Sequence, residues 1–319
     1  MDLLMIFTGL VLLFLGGEAL VRGSVTISNR LKISKVLIGV VIVGFGTSTP
    51  ELLVSIKASL MNQPDIALGN VVGSNIANIL LILGLSAVIT PVICKNKTIY
   101  RDAIVVVVSS ILLFGLSYQQ IILPLVGALM FTSLTLYLSY SYLAEMKEKK
   151  SLTSKDQTLH GHESDSFINN LSMGSSIIIT LFGIVMLTFG AEFLVKGASN
   201  IAREMGVSEA IIGLSLVAFG TSLPEIATAI SASIKKDSDV IIGNVLGSNL
   251  FNILSILGIT AMIKPIPITG QIANFDIPLS LAIAIILLII ILVFKNITRL
   301  TGLIFLVAYT SYIIYLLIY

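Results

Sequence analysis

Two glutamates, Glu51 and Glu225, lie inside long apolar stretches. Each closes a near-identical hexapeptide, Gly46-Thr47-Ser48-Thr49-Pro50-Glu51 and Gly220-Thr221-Ser222-Leu223-Pro224-Glu225. A carboxylate within a bilayer is costly unless it is paired or solvated, and marks a functional site by default. No Lys or Arg stands at comparable depth; Lys57 lies towards a helix end and can snorkel to the interface. A bound cation is the natural counter-charge. The competing explanation, a protonated glutamate held in the core, would require two independent burials at matching positions.

The residues before each glutamate supply the rest of a site. Proline has no N–H and clashes with the carbonyl four residues back, Gly46 for Pro50 and Gly220 for Pro224, so the helix opens there. Carbonyls around Thr47 and Thr221 can then turn inward. Irregular backbone at membrane depth is tolerated only where it lines a cavity or is buried in protein. A second doubled element runs from Gly69-Asn70-Val71-Val72-Gly73-Ser74-Asn75 to Asn78, and from Gly243-Asn244-Val245-Leu246-Gly247-Ser248-Asn249 to Asn252. Ser48, Ser74 and Asn78, with Ser222, Ser248 and Asn252, add neutral oxygens, although helix–helix packing also uses such residues. Carboxylate, hydroxyl and carbonyl oxygens are hard ligands suited to Ca2+ and Na+. Two carboxylates are neutralised by one Ca2+ or two Na+; a third Na+ would make an exchange electrogenic. The same oxygens could instead serve protons.

The elements that must position these residues follow from composition. The chain has 319 residues, of which 56% are hydrophobic and only 11% charged, and its mean hydropathy is +1.03. Soluble domains carry about 25% charged residues. A soluble enzyme, a disordered chain and a nucleic-acid binder are excluded. The single Cys94 excludes an internal disulfide or a Cys-based metal cage. A spanning helix needs roughly 20 apolar residues. The apolar runs predict ten spans over 3–21, 36–60, 65–91, 99–117, 121–143, 173–195, 208–234, 239–263, 277–294 and 300–319. The expected fold class is therefore an all-α polytopic membrane protein. The first run is expected to be a retained span, not a signal peptide. The organisation is a first repeat over 1–143, a hydrophilic linker over 144–170 and a second repeat over 171–319. If loops alternate sides, 15 of the 19 Lys and Arg fall on one side, which the positive-inside rule makes cytoplasmic. Both termini then face outward, the linker is cytoplasmic, and the cell membrane is the expected location.

Self-similarity supports the count. Residues 9–92 align without a gap on 183–266 at an offset of 174, and 38 of the 84 positions are identical. Each half holds an odd number of spans, so the second inserts upside down. Inverted repeats of this kind build many secondary transporters, with the substrate site near the midplane between the repeats.

At these residues the chain resembles the Ca2+/cation antiporter superfamily, and within it the Na+/Ca2+ exchangers of prokaryotic type. GTSTPE with GTSLPE, and GNVVGSNIAN with GNVLGSNLFN, are similar to that family's two α-repeats. The resemblance implies a ten-helix bundle with spans 2, 3, 7 and 8 around the ions. It implies that Glu51 and Glu225 bind Ca2+ together with the backbone carbonyls of Thr47 and Thr221. It assigns Na+ to Glu51, Glu225, Ser48, Ser222, Ser74, Ser248 and Asn78, with the carbonyls of Gly44 and Ala218. Spans 1 and 6, rich in glycine (Gly9, Gly16, Gly17; Gly183, Gly190), would slide past the core. Some members carry Asp where this chain has Asn252; two acids instead of three argue against a potassium-dependent exchanger. No cofactor is implied, since Ca2+ and Na+ are cargo. The lipid bilayer is the one partner expected, and a monomer is sufficient.

Glu18 with Arg22, and Glu192 with Lys196, are expected to be local pairs four residues apart. Asp65 and Asp239 are expected at solvated span ends, and His160 and His162 in a solvated linker. Three other functions compete with Na+/Ca2+ exchange. A Ca2+/H+ antiporter would run on a pH gradient without Na+. A cation channel would show flux uncoupled to a counter-ion. An intramembrane hydrolase would need a nucleophilic constellation, and no such set accompanies the two glutamates.

Overall fold

The computed structural model describes residues 1–153, 172–205 and 218–318. Among them, eight helices are long and apolar enough to cross a membrane, and nine if one bent pair is counted as a span. The helices are α1 (Asp2–Leu31), the bent pair α2 (Lys35–Thr47) and α3 (Thr49–Leu60), α4 (Pro64–Ile89), α5 (Lys97–Gln119), α6 (Pro124–Thr153), α7 (Met173–Glu204), α8 (Leu223–Ile234), α9 (Ser238–Ile263), α10 (Ile272–Phe294) and α11 (Arg299–Ile318). A short helix, Ala218–Thr221, precedes α8. Residues 208–217 of the span expected over 208–234 lie outside the described residues, as do 154–170 of the expected linker, including His160 and His162.

Two expected boundaries move. The helix of the first span continues through Leu31, and that of the sixth to Glu204. Their extra turns are polar in sequence, which makes them look like loop, but the small residues Gly23, Ser24, Thr26 and Ser28 are buried against other helices. Helix α6 likewise runs to Thr153, so the helical part of the first half extends past the expected end at 143.

The layering is uneven. The most apolar stretch of α9 is buried throughout and that of α4 over 72%, whereas α6 and α11 bury only 22% and 17%. Elements α4 and α9 are therefore the centre, and α6 and α11 face outward with large apolar side chains such as Leu125, Leu136, Leu300 and Val307. Such exposure suits lipid and not water. Wide π-helical turns interrupt α2 at Gly39–Gly44, α4 at Asn78–Leu83 and α9 at Phe251–Ile256, and a further one opens α10 at Ile272–Asp276; π-turns inside α-helices concentrate at functional sites.

The two halves interlock reciprocally. Helices α1 and α7 cross at glycines: a Cβ on Gly9 would lie 2.7 Å from the Gly190 carbonyl, and one on Gly183 would lie 2.9 Å from the Gly16 carbonyl. Nothing larger fits that contact. Four two-residue strands lie outside the expected all-helical description. Val92–Ile93 (β1) pairs with Asn296–Ile297 (β4), and Ile121–Ile122 (β2) with Ile266–Pro267 (β3), both antiparallel. Each ladder joins a loop of one half to a loop of the other. Backbone groups in a buried loop need partners, and pairing across the halves supplies them.

Candidate ion site

Both glutamates sit at a break in a helix. The rungs on either side of the first break run from Ser48 N–H to the Gly44 carbonyl (3.1 Å) and from Leu52 N–H to the Ser48 carbonyl (3.2 Å). Pro50, between them, has no N–H to donate. The chain turns at Ser48 (φ −81°, ψ 6°), and α2 meets α3 at 45°. Ser222 repeats the conformation (φ −86°, ψ 1°) before α8. Glu51 and Glu225 thus occupy first turns of helices, where unpaired amides favour an anion. Each Ser-x-Pro-Glu also reads as a capping box, yet neither serine side chain caps its own helix. Ser48 Oγ instead donates across the halves to Glu225 Oε1 at 3.3 Å.

The remaining candidates lie on α2, α4, α9 and the segment just before α8. Glu51 and Glu225 are 1% and 2% exposed. Thr47 Oγ1 contacts the Val43 carbonyl (3.0 Å), the Gly44 carbonyl (3.4 Å) and Asn244 Oδ1 (3.3 Å). Gly44 lies against α9: a Cβ there would be 2.9 Å from the Ser248 nitrogen. Ser74, Ser222 and Thr221 are buried on α4, at the second break and just before it. Ala218 opens the short helix preceding that break. Asn78 and Asn252 are buried at the starts of the π-turns. Asn78 Nδ2 donates to Asn249, and Asn252 Nδ2 donates to Asn75.

Four of these residues leave a buried oxygen without a hydrogen-bond partner: Glu51 Oε2, Glu225 Oε2, Ser248 Oγ and Asn252 Oδ1. An unmet buried oxygen costs free energy, and four on neighbouring elements are what a hard cation would satisfy. No group of three or more His, Cys, Asp or Glu side chains forms among the described residues, so the acid count here is two. Four further asparagines hydrogen-bond to these candidates or their neighbours. Asn75 and Asn249 receive the amides just named, Asn244 meets Thr47, and Asn70 Nδ2 donates to the Glu51 carbonyl (3.1 Å) and to Ser55 Oγ (2.9 Å). Their signal was present in the sequence: all four are identical between the repeats.

The sequence pattern of the family described as sodium/calcium exchanger protein matches residues 1–144 and 175–318. This chain belongs to that family. Among its relatives, the sodium/calcium exchanger MaX1 of Methanosarcina acetivorans is 31% identical, over 99% of this chain and 98% of its own. The inner membrane protein YrbG of Escherichia coli is 32% identical, over 88% and 86%. Among solved structures, the sodium-calcium exchanger NCX_Mj superposes with a TM-score of 0.84 at 28% identity, over 99% of this chain and 98% of that one. The chain is therefore an integral membrane protein of a transporter family, not of an enzyme family, with the helical fold of NCX_Mj. Its match falls on both halves and omits 145–174, the stretch containing most of the linker.

Proposed function

We propose that the chain is a secondary antiporter that moves Ca2+ in exchange for Na+ by alternating access. Its ligands would be Glu51, Glu225, Ser48, Ser222, Ser74, Ser248, Asn78 and Asn252, with backbone carbonyls at Thr47, Thr221, Gly44 and Ala218. The observation that carries this reading is the set of four buried oxygens without partners, two of them carboxylate, at matched breaks in two halves. Neutralisation of two carboxylates by one Ca2+ or two Na+ makes the ions competitors for one place, and competition is the basis of exchange. A third Na+ per Ca2+ would carry net charge.

The architecture proposed is ten spans in two inverted five-helix repeats, over 1–143 and 171–319. The reciprocal contacts favour it: α1 meets α7 through mate glycines, and each loop ladder joins the mate of the other ladder's strand. The basic-residue bias favours both termini outside, a cytoplasmic linker and residence in the cell membrane.

The test is Ca2+ uptake into Na+-loaded proteoliposomes at clamped pH. Uptake should require the outward Na+ gradient and fall to background in Glu51→Gln and in Glu225→Gln. Uptake indifferent to Na+ but driven by an imposed pH gradient would assign the protein to Ca2+/H+ exchange instead. Full transport in both variants would remove the site.

A further inference from the structure

The second doubled element brings two asparagines per half to the centre of the molecule. Asn75, Asn78, Asn249 and Asn252 are each at most 3% exposed. They meet in two equivalent bonds: Asn78 Nδ2 donates to Asn249 Oδ1 at 2.9 Å, and Asn252 Nδ2 donates to Asn75 Oδ1 at 2.9 Å. Moving either bond by the repeat offset of 174 turns it into the other.

A side-chain amide has a donor end and an acceptor end, and its neighbours decide which way it faces. Here the decision starts at a backbone group. Asn75 Nδ2 reaches the backbone carbonyl of Asn249 at 3.5 Å, and a carbonyl can only accept. With its NH2 directed there, Asn75 turns its oxygen to Asn252. Asn252 must answer with its NH2, and its own oxygen is left on the opposite side. That oxygen is buried and has no donor. Ser248 Oγ, one turn earlier on the same central element, is in the same condition.

We propose that Asn75 and Asn249 are positioning residues for ion binding. Each accepts the amide of an asparagine from the opposite half, and so holds Asn252 and Asn78 with the carbonyl oxygen, not the NH2, offered to the cation. The proposal rests on the reading of Glu51, Glu225 and their neighbours as ion ligands. Without the acceptor at position 75, Asn252 can rotate half a turn and present amide hydrogens, whose partial positive charge repels a cation. The arrangement supplies neutral oxygens without adding a third carboxylate, so the charge balance stays at two.

The test uses full-length protein in Na+-loaded proteoliposomes, with initial Ca2+ uptake measured against external Ca2+. Asn75→Leu keeps approximate volume and removes the acceptor. It should raise KM for Ca2+ about ten- to a hundredfold, the equivalent of one charge-assisted contact, with a much smaller change in maximal rate. Asn75→Asp keeps the acceptor, loses the donor to the Asn249 carbonyl and adds a carboxylate that attracts a cation, so its KM should stay at or below that of the unmodified protein. An unchanged KM in Asn75→Leu, or equal damage in both variants, overturns the proposal; the second result would make Asn75 a structural donor only. If Asn75→Leu is not recovered folded, Asn249→Leu and Asn249→Asp decide by the same criterion. Glu225→Gln is run in parallel. Its loss of transport beside an unchanged KM in Asn75→Leu defeats the positioning role alone, whereas full transport both in it and in Glu51→Gln defeats the ion site and this proposal together.

Discussion

Glu18 and Glu192 occupy the same place in the two halves, yet they are held differently. Glu192 pairs with Lys196 on its own helix at 2.5 Å, and both side chains are about half exposed (45% and 58%). Glu18 pairs with Arg22 in the same local fashion, but it also leaves its helix. Its Oε2 accepts from Lys235 Nζ at 2.9 Å and from Ser231 Oγ at 2.9 Å, which ties α1 to the end of α8. The local pair expected from spacing is therefore only part of the arrangement at Glu18. The mates of Ser231 and Lys235 are Lys57 and Met61, so this pair of donors has no copy on the other side. The tie from Glu18 to Ser231 and Lys235 is therefore a difference in sequence between the halves, expressed as a contact on one side only.

The largest effects are expected where the halves agree. Glu51→Gln and Glu225→Gln should each bring Na+-dependent Ca2+ uptake to background, because either leaves one carboxylate against a divalent ion. Loss in one variant alone would break the equivalence of the two motifs. A smaller and unequal effect is expected at Glu18 and Glu192. Glu18→Gln removes two ion pairs and weakens a cross-half hydrogen bond, together worth about 1–2 kcal/mol in a part-exposed setting. It should change the initial uptake rate about 5- to 30-fold in the direction set by which end limits turnover. Glu192→Gln should leave the rate almost unchanged, since an exposed local pair contributes about 0.3–0.5 kcal/mol. Equal responses would mean that the one-sided tie is not part of the transport cycle.

A third comparison concerns stability. Asn70 gives its NH2 to Ser55 Oγ and to the Glu51 carbonyl, but its mate Asn244 leaves Nδ2 buried without a partner. The mate of Ser55 is Ala229, so the second half lacks the hydroxyl. Ser55→Ala should destabilise the protein by about 1 kcal/mol, because one Asn70 amide hydrogen loses its acceptor while the other keeps the Glu51 carbonyl. Ala229→Ser should stabilise it by up to about 1 kcal/mol if the new oxygen meets Asn244. Thermal unfolding in one detergent reads both; a shift of the same sign in both would show that the halves pack differently at this point.

These comparisons also show what the sequence carried and what it withheld. The two glutamates, the helix breaks and the central elements were legible because a buried acid, a Gly/Pro break and a long repeat each have a direct physical meaning. The lengths of α1 and α7 were not, since Gly23, Ser24, Thr26 and Ser28 read as loop until another helix covers them. Nor were the four short strands, whose partners lie far away in sequence. The links from Glu18 to Lys235 and from Asn252 to Asn75 were equally hidden. Glu18 had a sufficient partner one turn away, and an amide's orientation depends on neighbours that composition does not reveal. The repeat offset was the missing aid: positions identical in both halves meet each other across the centre.

The smallest effect is expected at Cys94, where the halves differ in sequence and agree in structure. Its mate is Ile268, and both are fully buried. The two backbones are held alike, by Cys94 N–H to the Lys295 carbonyl at 2.9 Å and by Ile268 N–H to the Gln120 carbonyl at 2.8 Å. The thiol therefore fills an apolar slot, as free cysteines commonly do. Burial, with Asp239 adding a like-sign contribution, pushes the Cys94 thiol up to about 12. The thiolate is the reactive form, so near neutral pH almost none is present. Alkylation by a soluble maleimide should be negligible in the folded protein and rapid after denaturation. Cys94→Ala should leave Ca2+ uptake unchanged, at a stability cost of about 1 kcal/mol for the lost buried sulfur. Fast labelling of the native protein would show that the β1–β4 junction opens, and that this slot, unlike its isoleucine counterpart, is not closed to water.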